Sequence, residues 1–375
     1  MKKLAEVVEF LDNMRRPVTE SDRKPGPYPY YGANGIQGTI DRFIFDEPLV
    51  LLAEDGGHFE NPARGIAYRI AGKTWVNNHA HVLRPRPGVD LAFVCRVLEN
   101  YDVTPFVTGT TRGKLTKAGA GEIPLPMPPL PEQRRIAAIL DQADALRAKR
   151  REALAQLDYL TQSIFSEMFG DFRGGDLRWP VRSIQDIATD MTIGLVRSAE
   201  QFGPDFTVPY VRMNAIGQGG EFLPGLVMRT EVSEAELERY LLQAGDLLFN
   251  TRNSRELVGK TAIFREAGPH VFNNNLMRIR FCDGVHPEYV AAAFQTAYIQ
   301  QELEIRKAGT TSVFAIYGRE LKTLPMPIPP QPLQSTFATR IEGVESLKTT
   351  HRAALAESDA LFAALQHRAF AGQLS

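Results

Sequence analysis

Side chains that bind anions are concentrated in one glycine-flanked loop of the sequence, between Gly109 and Lys117. The loop offers hydroxyl groups and cations at Thr110, Thr111, Arg112, Lys114 and Lys117. Such groups hold phosphate oxygens, and glycine lets a ligand approach the backbone closely. A solvated surface loop would have a similar composition, so this segment is a candidate site with two open interpretations.

A second polar stretch lies in the other half of the chain, after the apolar run 246–249. Its candidate residues are Arg252, Asn253, Arg255 and Lys260. Guanidinium groups bind phosphates and guanine edges, and amides bind adenine edges. Helix and strand signals are weak in this stretch, so we predict a polar loop that contacts nucleic acid.

Paired asparagines recur at corresponding places, in the segments 77–78 and 273–275. Asn77 and Asn274 are candidate base contacts, because an asparagine amide can bind adenine through two hydrogen bonds. Asparagine is also a common turn residue, and recurrence within one chain favours a shared backbone role. Both interpretations are kept.

Motifs of catalysis and metal binding give no positive signal. His58, His79 and His81 lack a second set of ligands for a tetrahedral site, so we predict no metal. A phosphate-binding loop would require glycine where Ala67 and Ser254 stand. The dinucleotide, zinc-protease and amino-methyltransferase motifs are also missing from the sequence.

The elements that carry these residues occur twice along the chain. PMPPLPEQRRIA at 126–137 corresponds to PIPPQPLQSTFA at 327–338, and three shorter matches precede it in the same order. Such a repeat predicts two similar domains. Apolar runs bounded by Gly, Pro and Asn at 49–52, 66–70, 246–249 and 261–264 predict strands, and 91–98 and 289–295 predict short helices. Each half is therefore predicted to be α+β.

Each proline-rich segment precedes a long amphipathic pattern, the first beginning at about Glu132. One heptad position holds Ile136, Ala143, Leu157 and Ile164, and in the second copy Phe337, Val344 and Leu365. A second position holds Ile139, Leu146, Ala153 and Leu160, and in the second copy Leu347, Ala354 and Leu361. Two such copies predict two helices that pair, although a core-packing helix would have the same periodicity.

Composition limits the class of protein. The 375 residues suggest more than one domain, and a net charge of -1 gives no overall attraction to polyanions, so any nucleic-acid site must be a local patch. No apolar run is long enough to span a membrane, and the two cysteines form no disulfide framework. These features predict a cytoplasmic protein.

The chain resembles the specificity subunits of type I restriction-modification systems over nearly its whole length. The segments that carry the resemblance are YPYYGANGIQG (28–38), LLAEDGG (51–57), WVNNHAHV (75–82), IPLPMPPLPEQRRI (123–136), GDLLFNTRNSRELVGKTAIF (245–264) and LPMPIPPQP (324–332). The resemblance implies two tandem target-recognition domains alternating with two long helices, which pair as an antiparallel coiled coil in a pseudo-twofold internal repeat. The implied boundaries are recognition domains at 1–131 and 179–331, helices at 132–170 and 332–375, and a linker at 171–178.

The resemblance also implies a function. The chain would recognise double-stranded DNA at an asymmetric bipartite target and bring two DNA methyltransferase subunits and the restriction or motor subunits to it. It would not be an enzyme and would bind no cofactor, because S-adenosylmethionine and ATP would bind to partner subunits. Three alternatives stay open: the specificity chain of a type II system that cuts beside a bipartite site, a stand-alone enzyme with an unrecognised active site, and a scaffold that binds no nucleic acid.

Overall fold

The computed structural model describes residues 1–61, 64–109, 113–172, 178–217, 219–309 and 312–370. The chain divides into two compact units. Unit 1 consists of residues 1–151 and 353–375, and unit 2 consists of residues 152–352. Within the described ranges, no helix combines the length and apolar character that a membrane span requires.

The strands of unit 1 are β1 (Lys2–Lys3), β2 (Val8–Phe10), β3 (Tyr28–Gly32), β4 (Gly35–Ile40), β5 (Phe45–Asp46), β6 (Leu49–Ala53), β7 (Ala67–Ile70), β8 (Lys73–Val76), β9 (Ala80–Pro85), β10 (Val107–Thr108), β11 (Lys114–Leu115) and β12 (Pro124–Leu125). Its short helices are α1 (Leu4–Val7), α2 (Leu91–Glu99) and α3 (Lys117–Gly121). The long helix α4 (Leu130–Phe169) begins in unit 1 and ends in unit 2.

The strands of unit 2 are β13 (Val181–Ser183), β14 (Ala188–Ile193), β15 (Val208–Val211), β16 (Met228–Thr230), β17 (Leu247–Asn250), β18 (Arg252–Asn253), β19 (Thr261–Ile263), β20 (Val271–Phe272), β21 (Leu276–Phe281), β22 (Ala308–Gly309), β23 (Phe314–Ala315) and β24 (Pro325–Pro327). Its short helices are α5 (Ile184–Ile187), α6 (Glu234–Tyr240), α7 (Pro287–Phe294), α8 (Ala297–Arg306) and α9 (Gly318–Lys322). The second long helix, α10 (Gln331–Phe370), begins in unit 2 and ends in unit 1.

Corresponding sheets confirm the internal repeat. The main sheet has the strand order β2-β9-β6-β7 in unit 1 and β14-β21-β17-β19 in unit 2. A second sheet is ordered β4-β3-β8-β5 in unit 1 and β16-β15-β20 in unit 2. The four runs predicted as strands coincide with β6, β7, β17 and β19, and the two predicted short helices coincide with α2 and α7. The chain therefore has the predicted α+β class, with one scheme used twice.

The central strand β6 shows why these apolar runs form strands. All of its residues are buried, and alternate side chains point to opposite faces. Val50 and Leu52 pack in the same cluster as Phe93 and Val97 of α2, while Leu51 packs with the second sheet. Because both faces are covered, the strand is continuously apolar rather than alternating.

The long helices start slightly earlier than the sequence predicted. The helix α4 starts at Leu130, two residues before Glu132, and Pro131 lies in its first turn. Proline is tolerated there because the amides of the first turn have no partner within the helix. The side chain of Gln133 is buried against the segment before the helix, where it donates to the Pro128 carbonyl at 2.8 Å.

The two long helices pair antiparallel, as unit 2 shows. The ring of Phe165 lies 5.6 Å from the ring of Phe337, and Lys348 Nζ lies 2.9 Å from Asp158 Oδ1. Residues closer to the N-terminus of α4 thus contact residues closer to the C-terminus of α10. In unit 1 the same helices meet again, where Arg147 Nε donates to Asp359 at 2.5 Å.

The second predicted heptad position is wrong as a seam position. Leu146, Leu160, Leu347 and Leu361 are 43–57% exposed. The seam instead combines the first heptad position with residues four positions later, at Leu140, Arg147, Leu154, Thr161, Ile341, Lys348, Leu355 and Phe362. Several of these seam sites hold charged or polar residues, such as Arg147 and Lys348, which are typical of a protein surface. The apolar periodicity therefore predicted the exposed leucines as seam residues instead.

This correction predicts unequal effects of two truncations on α10. Phe337 is fully buried against Phe165 and Phe169, so Phe337→Ala should lower the free energy of unfolding by about 3–5 kcal/mol. Leu347→Ala should change it by no more than about 0.5 kcal/mol, because Leu347 is exposed. Urea unfolding followed by circular dichroism measures both. Equal losses would mean that Leu347 lies in the seam.

Candidate nucleic-acid interface

The cationic loop of the first half forms the end of a two-stranded ribbon. Strands β10 and β11 pair antiparallel, with Thr108 opposite Lys114. Three predicted residues that stand between these strands in the sequence, Thr110, Thr111 and Arg112, lie outside the described residues. Lys114 is exposed at the start of β11, and Lys117 is exposed at the start of α3. The ribbon therefore presents cations from two successive elements.

A cleft of about 580 Å³ lies beside this ribbon. Its lining includes Gly56 and Gly57, which follow the central strand, and Gly109 and Gly113 of the ribbon loop. Gly56 has a φ of 67°, and a Cβ on Gly57 would lie 2.7 Å from that of Ala53. Side chains larger than hydrogen are therefore disfavoured at both positions, and the cleft keeps room for a ligand.

A cluster of ionisable side chains, at Asp12, Arg15, Glu54, His81 and Lys114, supports the base of the ribbon. Glu54 accepts from Arg15 at 2.5 Å and lies 3.0 Å from Lys114 Nζ. His81 Nδ1 lies 2.6 Å from Asp12 Oδ2, and its Nε2 donates to the Leu115 carbonyl at 2.8 Å. Because that carbonyl belongs to β11, the cluster fixes the strand that carries Lys114.

The charges of this cluster stabilise one another. Burial alone would raise the pKa of the Glu54 carboxyl, but Arg15 and Lys114 lower it overall. Burial likewise raises the pKa of Asp12, whereas hydrogen bonds from His81 and the Val82 amide lower it overall. Both carboxyls are thus held ionised by the groups around them.

The same cluster contains a possible set of metal ligands. Ligand atoms of Asp12, Glu54 and His81 lie within 4.8 Å of one another. Arg15 and Lys114 already contact Glu54, and their positive charges would repel a metal ion. We therefore interpret the group as an ion-pair cluster. No local spacing in the sequence indicates it, because Asp12, Glu54 and His81 lie far apart along the chain.

The second half keeps the backbone of this region but not its charges. Leu115 N donates to the Glu54 carbonyl at 2.8 Å, and Ile316 N donates to the Thr251 carbonyl at 2.9 Å. Thr251 therefore corresponds to Glu54. By the same strand pairings, Met277 corresponds to His81 and Ala315 to Lys114. Neutral side chains thus stand in the second half where the first half has ion pairs.

The four candidates of the second half differ in how far they are free to bind DNA. Arg252 is exposed on β18, and no hydrogen bond or ion pair of its side chain is found among the described residues. Asn253 Oδ1 accepts from the Ser254 amide at 2.9 Å. Arg255 lies 2.5 Å from Glu304, and Lys260 is half-buried. Burial lowers the pKa of Lys260, and Glu221 acts in the opposite direction.

The recurring asparagines have a structural role in both halves. Asn77 is buried, its Oδ1 accepts from the His79 amide at 2.8 Å, and its Nδ2 donates to Gln37 at 3.0 Å. Asn273 Oδ1 accepts from the Asn275 amide at the same distance. Asn77 therefore corresponds to Asn273 and not to Asn274. Contacts of Asn77 and Asn274 with DNA stay predictions.

Comparison with known proteins shows similarity to one family of DNA specificity proteins. Residues 1–156 match the model of the type I restriction modification DNA specificity domain. A putative type I restriction enzyme specificity subunit of Haemophilus influenzae is 28% identical over 362 residues, which cover 92% of this chain and 87% of that protein. The EcoKI specificity subunit of Escherichia coli K12 is 24% identical over 317 residues, 78% of this chain and 68% of that protein.

A solved structure shows the same fold. The S subunit of a type I restriction-modification system from M. genitalium matches 98% of this chain and 95% of its own, with a TM-score of 0.61 and 13% identity. Over most of its length the chain is similar to the specificity subunits of type I restriction-modification systems, and its first 156 residues match their DNA specificity domain.

The ion-pair cluster predicts a pH-dependent effect of Glu54→Gln. Because the folded state lowers the pKa of Glu54, its ionised form favours folding above its ordinary value of 4.5, and this contribution is lost as the pH falls through the lower folded value. At pH 7 the substitution should cost about 1–3 kcal/mol, since two cations lose a charged partner. Below about pH 5 the difference from the parent chain should shrink.

Urea unfolding at pH 7 and pH 4 measures this difference. The matched control is Glu20→Gln, because the Glu20 side chain is exposed and makes no ion pair within the described residues. The control should be neutral at both pH values. A cost of Glu54→Gln that is the same at pH 7 and pH 4 would show that the charge of Glu54 does not stabilise the fold.

Proposed function

We propose that the chain recognises a bipartite DNA sequence in the cytoplasm, one half-site with each globular half. The observation that carries the proposal is a duplicated scaffold that presents different side chains, charged in one half and neutral in the other, at equivalent positions near its loops. The same backbone hydrogen bonds place Glu54 beside the ribbon in one half and Thr251 in the other. One fold presenting two sets of side chains suits the reading of two different base sequences.

Phosphate binding is assigned to the ribbon of the first half. Lys114 and Lys117 are exposed there, and Arg112 precedes them in the sequence, outside the described residues. Cations of this kind position a protein on the duplex without reading its sequence. The near-neutral total charge of the chain is compatible with this role, because binding requires only a local patch.

Partner binding is assigned to the outer side of the helix pair. In unit 1, Leu146 and Leu361 are exposed, and in unit 2, Leu160 and Leu347 are exposed. In each unit the two leucines occupy the same heptad position of the two helices, and in an antiparallel pair residues at that position lie on the same side. Exposed leucines on one side of a helix pair favour contact with another apolar surface. We assign this side to two DNA methyltransferase subunits, with restriction or motor subunits joining the complex.

Chemistry would come entirely from these partners. The methyltransferase subunits would bind S-adenosylmethionine and modify adenine in both half-sites, and ATP would bind to the motor subunits. The role of this chain is then to hold the DNA and the partners together. Its own residues contribute binding and position, in agreement with a family of recognition subunits.

The first test concerns phosphate binding by the ribbon. Lys114→Ala combined with Lys117→Ala should weaken binding of every duplex and lower the slope of log affinity against log salt by about two. Fluorescence anisotropy of the full chain over a range of salt concentrations measures this. As a matched control, Lys2→Ala with Lys149→Ala removes two exposed cations outside the ribbon and should leave the slope unchanged. An unchanged slope in the ribbon variant would reject the assignment.

The second test concerns the leucines of the helix pair. Leu146→Glu with Leu361→Glu should abolish co-purification of the methyltransferase subunit and adenine methylation in the host, because charge on an apolar contact surface is costly. The parent chain in the same host should give methylation at a two-part sequence. The control variant Ala145→Glu with Ala356→Glu changes two residues that are also exposed on the two helices. It should retain both co-purification of the methyltransferase subunit and adenine methylation. Normal co-purification of the leucine variant would place the partner elsewhere.

A further inference from the structure

One position beside the ribbon carries opposite charges in the two halves. Glu54 N donates to the His79 carbonyl, and Thr251 N donates to the Asn275 carbonyl, so the two backbones follow the same path. The next residue is Asp55 in the first half and Arg252 in the second. Asp55 pairs with Lys114 of the ribbon, and Arg252 pairs with Ala315. Asp55 and Arg252 therefore hold equivalent places opposite equivalent residues.

Arg252 is suited to bind a ligand outside the chain. It is exposed, and its cross-strand neighbour Ala315 offers only a methyl group. In the part of the chain that the structure describes, no carboxylate pairs with it, whereas Arg255 is held by Glu304 and Arg278 by Asp190. A free guanidinium presents two parallel donors, and these match the O6 and N7 acceptors of guanine in the major groove.

Asp55 offers the opposite hydrogen-bonding chemistry at the equivalent place. Its Oδ1 lies 2.5 Å from His79 Nδ1, which orients the carboxylate. An ionised carboxylate only accepts hydrogen bonds, and the base edge that donates to it in the major groove is the N4 amino group of cytosine.

We propose that this position determines which base each half accepts: Arg252 binds guanine in one half-site, and Asp55 binds cytosine in the other. The inference rests on the proposed function, because it assumes that both halves bind DNA. It goes further by naming the residues that read one base pair each and the bases that they select. It also gives a reason for the two half-sites to differ, since the scaffold is shared while the donor and acceptor are exchanged.

The test replaces each residue by its amide counterpart in the full chain. Glutamine and asparagine select adenine, so Arg252→Gln should change one guanine to adenine in one half-site, and Asp55→Asn should change one cytosine to adenine in the other. Methylation mapping in a host that carries the partner subunits gives the motifs. Competition binding with matched duplexes should show a loss of about 5- to 150-fold for the original base.

Arg265→Gln is the matched control and should leave the motif unchanged, because Arg265 lies outside the candidate residues and its guanidinium pairs with Glu288 at 3.3 Å. Equal weakening of all duplexes by Arg252→Gln, with a salt slope lowered by about one, would identify a phosphate contact and overturn the inference. An unchanged motif would overturn it as well. If Asp55→Asn fails to fold, Arg252→Gln decides alone, since it changes an exposed side chain. A parent chain that yields no sequence motif would instead reject the proposed function.

Discussion

The pairing of two long helices is the interaction on which the rest of this protein depends. In unit 2 the pair joins the core of the globular half, where the rings of Phe165 and Phe169 pack against both Tyr289 and Phe337. In unit 1 the pair joins the core through Leu140 and other residues, including Phe362 and Ala369. In each unit the globular half is therefore fixed to both helices by aromatic and aliphatic contacts. These contacts also fix the orientation of the loops that the globular half carries.

The seam between those contacts is unusually polar. Arg147 lies 4.3 Å from the ring of Phe362, and Lys348 is bound by Asp158 and Glu345. Arg150 Nε and His351 Nδ1 are buried without a hydrogen-bond partner within the described residues. Polar seam residues reduce stability, yet they favour one register and orientation over others. In each unit, apolar contacts between the helices and the globular core therefore add to the stability of the pair.

Duplication separates the roles of backbone and side chain. Backbone hydrogen bonds of the main sheet and ribbon recur in both halves, so they maintain the fold. The side chains on that backbone differ: ion pairs around Glu54 and His81 in one half correspond to Thr251 and Met277 in the other. A scaffold whose core accepts both sets of side chains can change its loops without losing its fold.

The sequence by itself determined the repeat, the apolar strands and one of the two heptad positions. These features depend on local periodicity and on recurrence along the chain, which one sequence records. It did not reveal that the second seam position lies four residues after the first. It also did not reveal the ion-pair cluster of Asp12 with His81 or the pairing of Arg255 with Glu304. Those contacts join residues distant in the chain, and a charged side chain has the same sequence signature whether it is paired, buried or free. Tertiary structure decided them because it alone determines which charges lie within a few ångströms of one another.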